Sequence, residues 1–135
     1  MSLKEDRSPQ VAFFESLIDC IEANVELGDE ISLKELFQSG GIYAELGNGR
    51  TVTQYFDKKA DRIMPVLFLC KNADQMMCME YLSRICNYLT GLKQYPQGQN
   101  FKWNNAVTAA EPHKSGRDAD GQYVYACMVE CRIYF

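Results

Sequence analysis

The last segment of the chain alternates between two kinds of side chain without a break. Its odd-numbered positions are aromatic or apolar: Tyr123, Tyr125, Cys127, Val129, Cys131, Ile133 and Phe135. A period of two residues predicts a β-strand with one face in a core. The even-numbered positions mix Val124, Ala126, Met128, Glu130, Arg132 and Tyr134, so we expect the other face to be partly exposed or covered by a partner.

Two long segments have helical spacing instead. Ser8 is placed to cap the first helix, Pro9 suits its first position and Gly28 suits its end. The apolar stripe of this helix is Phe13, Phe14, Leu17, Ile18, Ile21 and Val25. The second helix follows Asn72, an expected N-cap with Gln75 as its capping-box partner. It presents Met77, Cys78, Tyr81, Leu82, Ile85, Cys86 and Leu89 on one side and stops at Gly91.

A short helix is also predicted between these two. Ser32 and Glu35 form a capping box, and Leu33, Leu36 and Phe37 supply an apolar side. The period then changes at Gly40-Gly41.

The middle of the chain is typical of strands. Ile42–Leu46 and Thr51–Phe56 flank Gly47-Asn48-Gly49, which predicts a tight hairpin. After a polar turn at Lys58–Asp61, the segment Ile63–Cys70 is almost wholly apolar, as in a strand covered on both faces. Pro65 lacks an N–H, so it must lie near the strand start, at a bulge or at an edge.

The remaining segments complete the order of elements. Tyr95–Asn100 is predicted to be a loop, Phe101–Ala110 a strand, and Glu111–Gly121 a solvated loop or hairpin tip. The order is therefore α(α)-βββ-α-ββ. It predicts a single α+β domain over residues 1–135, with a mainly antiparallel sheet and helices packed on one face.

The composition and charge of the chain argue against several classes of protein. Fourteen basic and 18 acidic side chains give a net charge of −4, which argues against a nucleic-acid-binding protein. No apolar run is long enough to span a membrane. Lys4, Glu5, Asp6 and Arg7 stand where a signal peptide would be apolar. We therefore expect no secretory leader. We also expect the six cysteines to be buried, reduced thiols, because they contain no C-x-x-C pair for zinc.

The sequence offers little for catalysis. His113 is the single histidine and stands in a polar segment, away from any nucleophile. Gly47-Asn48-Gly49 lacks the Gly-Lys-Ser/Thr ending of a phosphate loop. We expect no enzyme activity, no catalytic residue, no cofactor and no metal.

Charged groups with a neighbouring aromatic residue are the better candidates for function. Such charges either keep the chain soluble or form charge-complementary contacts with a protein partner. The candidate interface residues are Arg50, Tyr55, Lys58, Lys59, Arg62, Lys114 and Arg117.

The succession of segments resembles the minor capsid or tail-terminator (tail-completion) proteins of long-tailed bacteriophages and prophages. The segments that carry this resemblance are Phe14-Glu15-Ser16-Leu17-Ile18-Asp19, Ile42–Gly49, Thr51–Asp57, Arg62–Phe68, Asn72–Leu89 and Gln122–Phe135. The polar segment Glu111–Gly121 and the number of cysteines depart from the family pattern.

The resemblance implies a structural protein that forms a ring, with a hexamer as one candidate size. Such a protein caps the tail tube and joins the tail to the head. Its partners would be copies of itself and tail-tube or head-connector proteins, without nucleic acid or membrane. Its location would be the virion, assembled in the bacterial cytoplasm.

Two other functions remain open at the level of sequence. One is a small-molecule-binding or catalytic α+β domain with a pocket between helices and sheet, for which Tyr81, Tyr88 and Glu130 are the main polar candidates. The other is an adaptor that regulates a host protein.

Overall fold

The computed structural model describes residues 7–35 and 39–135. They form, in chain order, α1 Pro9–Asn24, β1 Ile31–Ser32, β2 Gly41–Leu46, β3 Arg50–Gln54, β4 Ala60–Asn72, α2 Gln75–Gly91, β5 Lys102–Arg117 and β6 Tyr123–Tyr134. The predicted α+β class is confirmed. The N-terminal charges Lys4–Asp6 lie outside the described residues, as do Leu36 and Phe37 of the predicted short helix.

All six strands belong to one sheet. Their order is β1-β2-β4-β6-β5, and β3 pairs with β4 as well. Only the short β1–β2 pair is parallel. The pairs of β4 with β2, β3 and β6, and of β6 with β5, are antiparallel. The sheet is thus mainly antiparallel, and β4 and β6 are its long central strands.

Both helices pack on the same face of this sheet. On β4 the even-numbered side chains Met64, Val66, Phe68 and Cys70 are buried in one core with the apolar side of α2. Helix α1 joins that core through Phe13, whose ring meets Trp103 of β5 edge-to-face with centroids 5.2 Å apart. The core therefore lies between the helices and one face of the sheet.

The ends of the first helix are explained by local chemistry. The Ser8 hydroxyl accepts a hydrogen bond from the Val11 amide, and Pro9 takes the first helical position, as predicted. The helix ends at Asn24, before the predicted stop. Gly28 does adopt a positive φ of 75°, but in the loop that leads to β1.

The second helix begins slightly later than predicted. Its N-cap is Asp74, whose carboxylate accepts a hydrogen bond from the Met76 amide at 2.9 Å. Asn72 instead accepts from the Asp74 amide at 2.8 Å. The prediction of Asn72 as N-cap was therefore wrong by two residues, because Asn72 turns the chain into the cap. The helix ends at Gly91, as predicted.

The hairpin predicted around Gly47-Asn48-Gly49 is wrong. Strands β2 and β3 do not pair with each other, and they lie one after the other along the same edge of β4. Asn48 and its two flanking glycines do not adopt the positive φ that a tight hairpin turn requires. The true hairpin joins β3 to β4 through the turn Tyr55–Lys59.

Pro65 lies opposite this interruption. The Gly47 amide donates to the Pro65 carbonyl at 2.7 Å. Because the N–H and C=O of one residue point to the same side of a strand, the missing N–H of Pro65 also faces the break between β2 and β3. An irregularity opposite the proline therefore accommodates it inside the long strand β4.

Two further predictions need correction. Glu111–Arg117 is not a loop, since it continues β5 along β6, with several register shifts. It was missed because polar residues suit the outer strand of a sheet, which is half solvated. Ile63–Cys70 is fully buried on one face only, since on the other face Pro65 is buried but Ile63, Leu67 and Leu69 are half-buried.

The short helix predicted after Ser32 is not observed in the part that the structure describes. Ile31–Ser32 pairs with β2 as a strand. The Ser32 hydroxyl accepts from the amides of Lys34 and Glu35, both at 3.3 Å. The capping contact thus forms a turn rather than starting a helix at residues 33–35.

Candidate interaction surfaces

The candidate interface residues fall into two groups at opposite ends of the sheet. Arg50, Tyr55, Lys58, Lys59 and Arg62 surround the β3–β4 turn, where β4 begins. Lys114 and Arg117 lie near the β5–β6 turn, where β4 ends. Arg50 lies level with Ile63 of β4, and Lys114 lies level with Cys70 through Tyr125. These nearest members of the two groups are therefore about 23 Å apart along β4 at about 3.3 Å per residue. The structure therefore does not bring them together in one chain.

The turn Tyr55–Lys59, here called the aromatic tip, is well ordered by hydrogen bonds. The Tyr55 amide donates to the Lys59 carbonyl at 2.8 Å, and the Lys58 amide donates to the Tyr55 carbonyl at 3.0 Å. The Lys59 amide donates to the Asp57 carboxylate at 3.1 Å. Lys58 takes a positive φ of 73° to close the turn. The backbone of the tip is thus fixed by its own contacts.

The side chains of the aromatic tip differ in how they are held: some contact other residues of the chain and others are exposed. The Tyr55 hydroxyl donates to Asp61 at 2.9 Å, and this bond to a carboxylate raises the pKa of Tyr55. Its ring packs edge-on against Tyr134, with centroids 6.0 Å apart. Phe56, by contrast, is fully exposed, and Lys58 and Lys59 are exposed beside it. An apolar ring held out into solvent on a rigid turn is a suitable anchor for a partner.

Arg50 and Arg62 are engaged within the chain. The Arg50 guanidinium lies 3.2 Å from the Glu130 carboxylate, across β4 on the face away from the helices. The Arg62 guanidinium lies 3.9 Å from the centroid of the Phe135 ring. Its buried Nε has no hydrogen-bond partner among the described residues.

At the other end, a buried charge organises the β5–β6 turn. The Lys71 side chain is only 3% exposed and pairs with Asp118, with Asp120 at 3.7 Å. The hydrogen bond to Asp118 raises the pKa of Lys71, and the same bond lowers the pKa of Asp118. Both acidic residues of this turn therefore serve an intramolecular contact.

Lys114 and Arg117 lean over an aromatic ring at the same end. The Lys114 ammonium is 5.5 Å and the Arg117 guanidinium 5.0 Å from the Tyr123 ring centroid. Arg117 also donates to the Gly121 carbonyl at 3.3 Å. Lys114 and Arg117 therefore help to hold this turn. Their contact with a partner stays a prediction.

The sheet face opposite the helices, here called the open face, carries apolar side chains. Its members on the three long strands are Ile63, Pro65, Leu67, Leu69, Val107, Val124, Ala126 and Met128. Most are half-buried by their neighbours, whereas Val107 is 57% exposed. No helix among the described residues packs on this face. Because apolar surface of this kind can be covered by a partner, the open face is a candidate interaction surface.

One charged region was missed in the sequence. Glu26–Glu30, here called the acidic loop, joins α1 to β1 and exposes Glu26, Asp29 and Glu30. The signal was available, because no Lys or Arg occurs between Arg7 and Lys34. The loop lies at the end of β4, since Ile31 pairs with Ile42 and Gly41 pairs with Lys71.

The acidic loop is held in place by contacts with the core and with both helices. Leu27 is buried in the core, and the Ile31 amide donates to the Glu22 carboxylate at 3.0 Å. Arg84 of α2 donates to the Glu26 carbonyl at 2.7 Å. Next to the loop lies a surface groove of about 590 Å³, whose walls include Asp29, Glu30, Ile31, Leu33 and Ile42.

The polar candidates for a ligand pocket lie in three separate places. Tyr81 borders a groove of about 470 Å³ at the end of β4, together with Lys71. The Tyr88 hydroxyl shares a hydrogen bond with the Cys20 thiol at 3.3 Å. Burial raises the pKa of Tyr88 to about 12. Glu130 lies on the open face with Arg50. The structure therefore does not assemble them into one site.

The remaining candidates for chemistry are His113, the six cysteines and any group of metal ligands. His113 lies exposed on β5, with its Nδ1 2.8 Å from the Glu111 carbonyl. All six cysteines are free, and all but Cys20 are buried. Within residues 7–35 and 39–135, no three His, Cys, Asp or Glu side chains are grouped as metal ligands. Neither helix of those ranges is long and apolar enough to cross a membrane.

No protein-family model matches the chain. No curated protein matches it either.

Proposed function

We propose that this chain is a non-catalytic structural protein of a bacteriophage or prophage particle. In this role it is a tail terminator or minor capsid component that caps the tail tube and joins tail to head. The order of its sequence segments resembles that family, and the proposal adopts the partners and virion location that the resemblance implies.

The one-sided sheet is the observation that carries the proposal. The helices cover one face, while the open face keeps an apolar strip with Val107 57% exposed. Apolar surface in contact with water favours association, because covering it releases ordered solvent. A ring component needs such a surface for a neighbouring subunit or for the end of a tube.

Charge on the open face supports contact with a defined partner. Arg132 is exposed there, and the Arg50–Glu130 pair spans the strip between β3 and β6. Charged groups at the edge of an apolar patch set the register of a partner more than they add affinity.

Inactivation of the gene in the genome that encodes it tests the proposal. Electron micrographs should then show heads without joined tails and tubes of abnormal length. Normal, infectious particles would contradict the proposed function.

Complementation with two variants makes the test specific to the open face. Val107→Lys places a charge on the apolar strip, whereas Val11→Lys places the same charge on α1, where Val11 is 39% exposed. We expect V11K to restore joined particles and V107K to fail, although both variants fold. Equal restoration by both would refute a role for the open face.

A further inference from the structure

The aromatic tip and the acidic loop carry opposite charge at opposite ends of the molecule. The tip has Lys58 and Lys59 against the single acid Asp57, and the loop has three exposed acids without a basic residue. Because the length of β4 separates them by about 40 Å, they cannot meet within one chain. Complementary ends on the same molecule point to a second copy as the partner.

The tip is prepared for docking. Its backbone is fixed by three hydrogen bonds within the turn, and Tyr55 is fixed by Asp61 and Tyr134. Phe56 is the most exposed large apolar side chain of the described residues. A rigid turn loses little conformational entropy on binding, so burial of the Phe56 ring contributes more fully to affinity.

The opposite end offers a matching receptor. The groove beside the acidic loop has the apolar side chains Ile31 and Ile42 in its walls, with Leu33 46% exposed at its rim. Asp29, Glu30 and Lys34 also line this groove, so two carboxylates stand against one ammonium. A groove with apolar side chains and a net acidic lining fits an aromatic ring that is followed by two lysines.

We propose that copies of this chain associate head to tail, with the aromatic tip of one copy docked on the acidic loop of the next. Phe56 enters the groove, and Lys58 and Lys59 face Asp29 and Glu30. The inference rests on the proposed ring-forming function and names the surfaces that form the ring. Such a contact uses different patches on the two copies, as a ring requires.

Sedimentation velocity on the full chain tests this contact. The wild-type protein should form oligomers as its concentration rises, and high salt should weaken them because exposed charges are screened. K58E/K59E and D29K/E30K should each remain monomeric. A wild-type protein that stays monomeric at every concentration would overturn the inference.

An equimolar mixture of K58E/K59E and D29K/E30K is the decisive experiment. Each variant repels itself in part, but the reversed tip of one attracts the reversed loop of the other. An equimolar mixture should therefore oligomerise like the wild type. If the mixture stays monomeric, or if either variant alone assembles normally, the head-to-tail contact is excluded.

Two controls separate the contact from general effects of charge and folding. K93E reverses one exposed lysine outside the tip and should leave assembly unchanged, whereas K59E should weaken it by about tenfold. Phe56→Ser changes no charge and should weaken assembly as well. Circular dichroism should show that every variant keeps the native fold, since each replaced side chain is exposed.

The outcomes distinguish this inference from the proposed function. If the charge reversals leave assembly intact while loss of the gene still produces unjoined heads and tails, the contact is wrong and the function stands. If the reversals act as expected while particles form normally without the gene, the contact stands and the function is wrong.

Discussion

Lys71, 3% exposed at the end of β4, forms an ion pair with Asp118 in the β5–β6 turn. A buried ammonium is costly unless a carboxylate or other acceptor faces it. The pair therefore fixes the turn to the central strand, and it leaves the turn acids less available for an external partner. This contact shapes the end of the sheet that also carries the acidic loop.

Stability should depend on this pair in acid. Because the pKa of Asp118 is lowered in the folded chain, its contribution is present above the usual carboxyl pKa of about 4 and is lost as the pH falls below it. Asp118→Asn should lower the melting temperature at pH 7, and the difference from wild type should shrink toward pH 3. Thermal unfolding monitored by circular dichroism measures both. A difference that does not change with pH would contradict this role.

The aromatic contact between α1 and β5 should be a main source of stability. Phe13 is fully buried against Trp103, so Phe13→Ala should cost about 3–5 kcal/mol of unfolding free energy. The same substitution at the exposed Phe56 should change it by less than about 0.5 kcal/mol. Urea unfolding of the two variants gives the comparison. Similar losses at both positions would show that burial does not explain the effect.

Substitution by alanine should change the stability of the chain in opposite directions at two glycines. Gly40 has a φ of 100°, and a Cβ there would lie 2.9 Å from the Lys71 carbonyl oxygen. Gly40→Ala should therefore destabilise the chain, since backbone must move. Gly91→Ala has open space at the last helical residue and should stabilise by up to about 1 kcal/mol. Denaturant midpoints test both signs, and destabilisation by Gly91→Ala would refute the account of that position.

Thiol reactivity should single out Cys20. It is the one cysteine that is not fully buried, and burial raises its pKa. A thiol reagent should label one group slowly in the native protein, faster as the pH rises and more thiolate forms, and six groups after unfolding. Cys20→Ser should remove the native reaction. Labelling of a second cysteine without unfolding would contradict the packing of the core.

Strong local patterns predicted much of the fold. Ser8 and Pro9 defined the first helix, and the alternation from Tyr123 onward defined β6, because these signals act within a few residues. Gly47-Asn48-Gly49 was misleading because pairing with β4 overrode a local turn preference. Glu111–Arg117 was missed because the outer strand of a sheet needs little apolar surface.

The candidate surfaces could be predicted only in part. The basic group around Lys58 and Lys59 is visible as a cluster in the sequence. Its distance from Lys114 is not, because it depends on the length and direction of β4. The acids of the acidic loop are visible as a run without Lys or Arg, but the position of this loop at the end of β4 is not. The open face emerged only when the topology placed separate strands beside each other.

The position of the chain on intact particles tests the central claim most directly. Particles assembled with a tagged chain can be labelled with gold-conjugated antibody and viewed by electron microscopy. The proposed function predicts label at the junction between head and tail. Particles that carry no label, while the tagged chain remains free in the lysate, would contradict it.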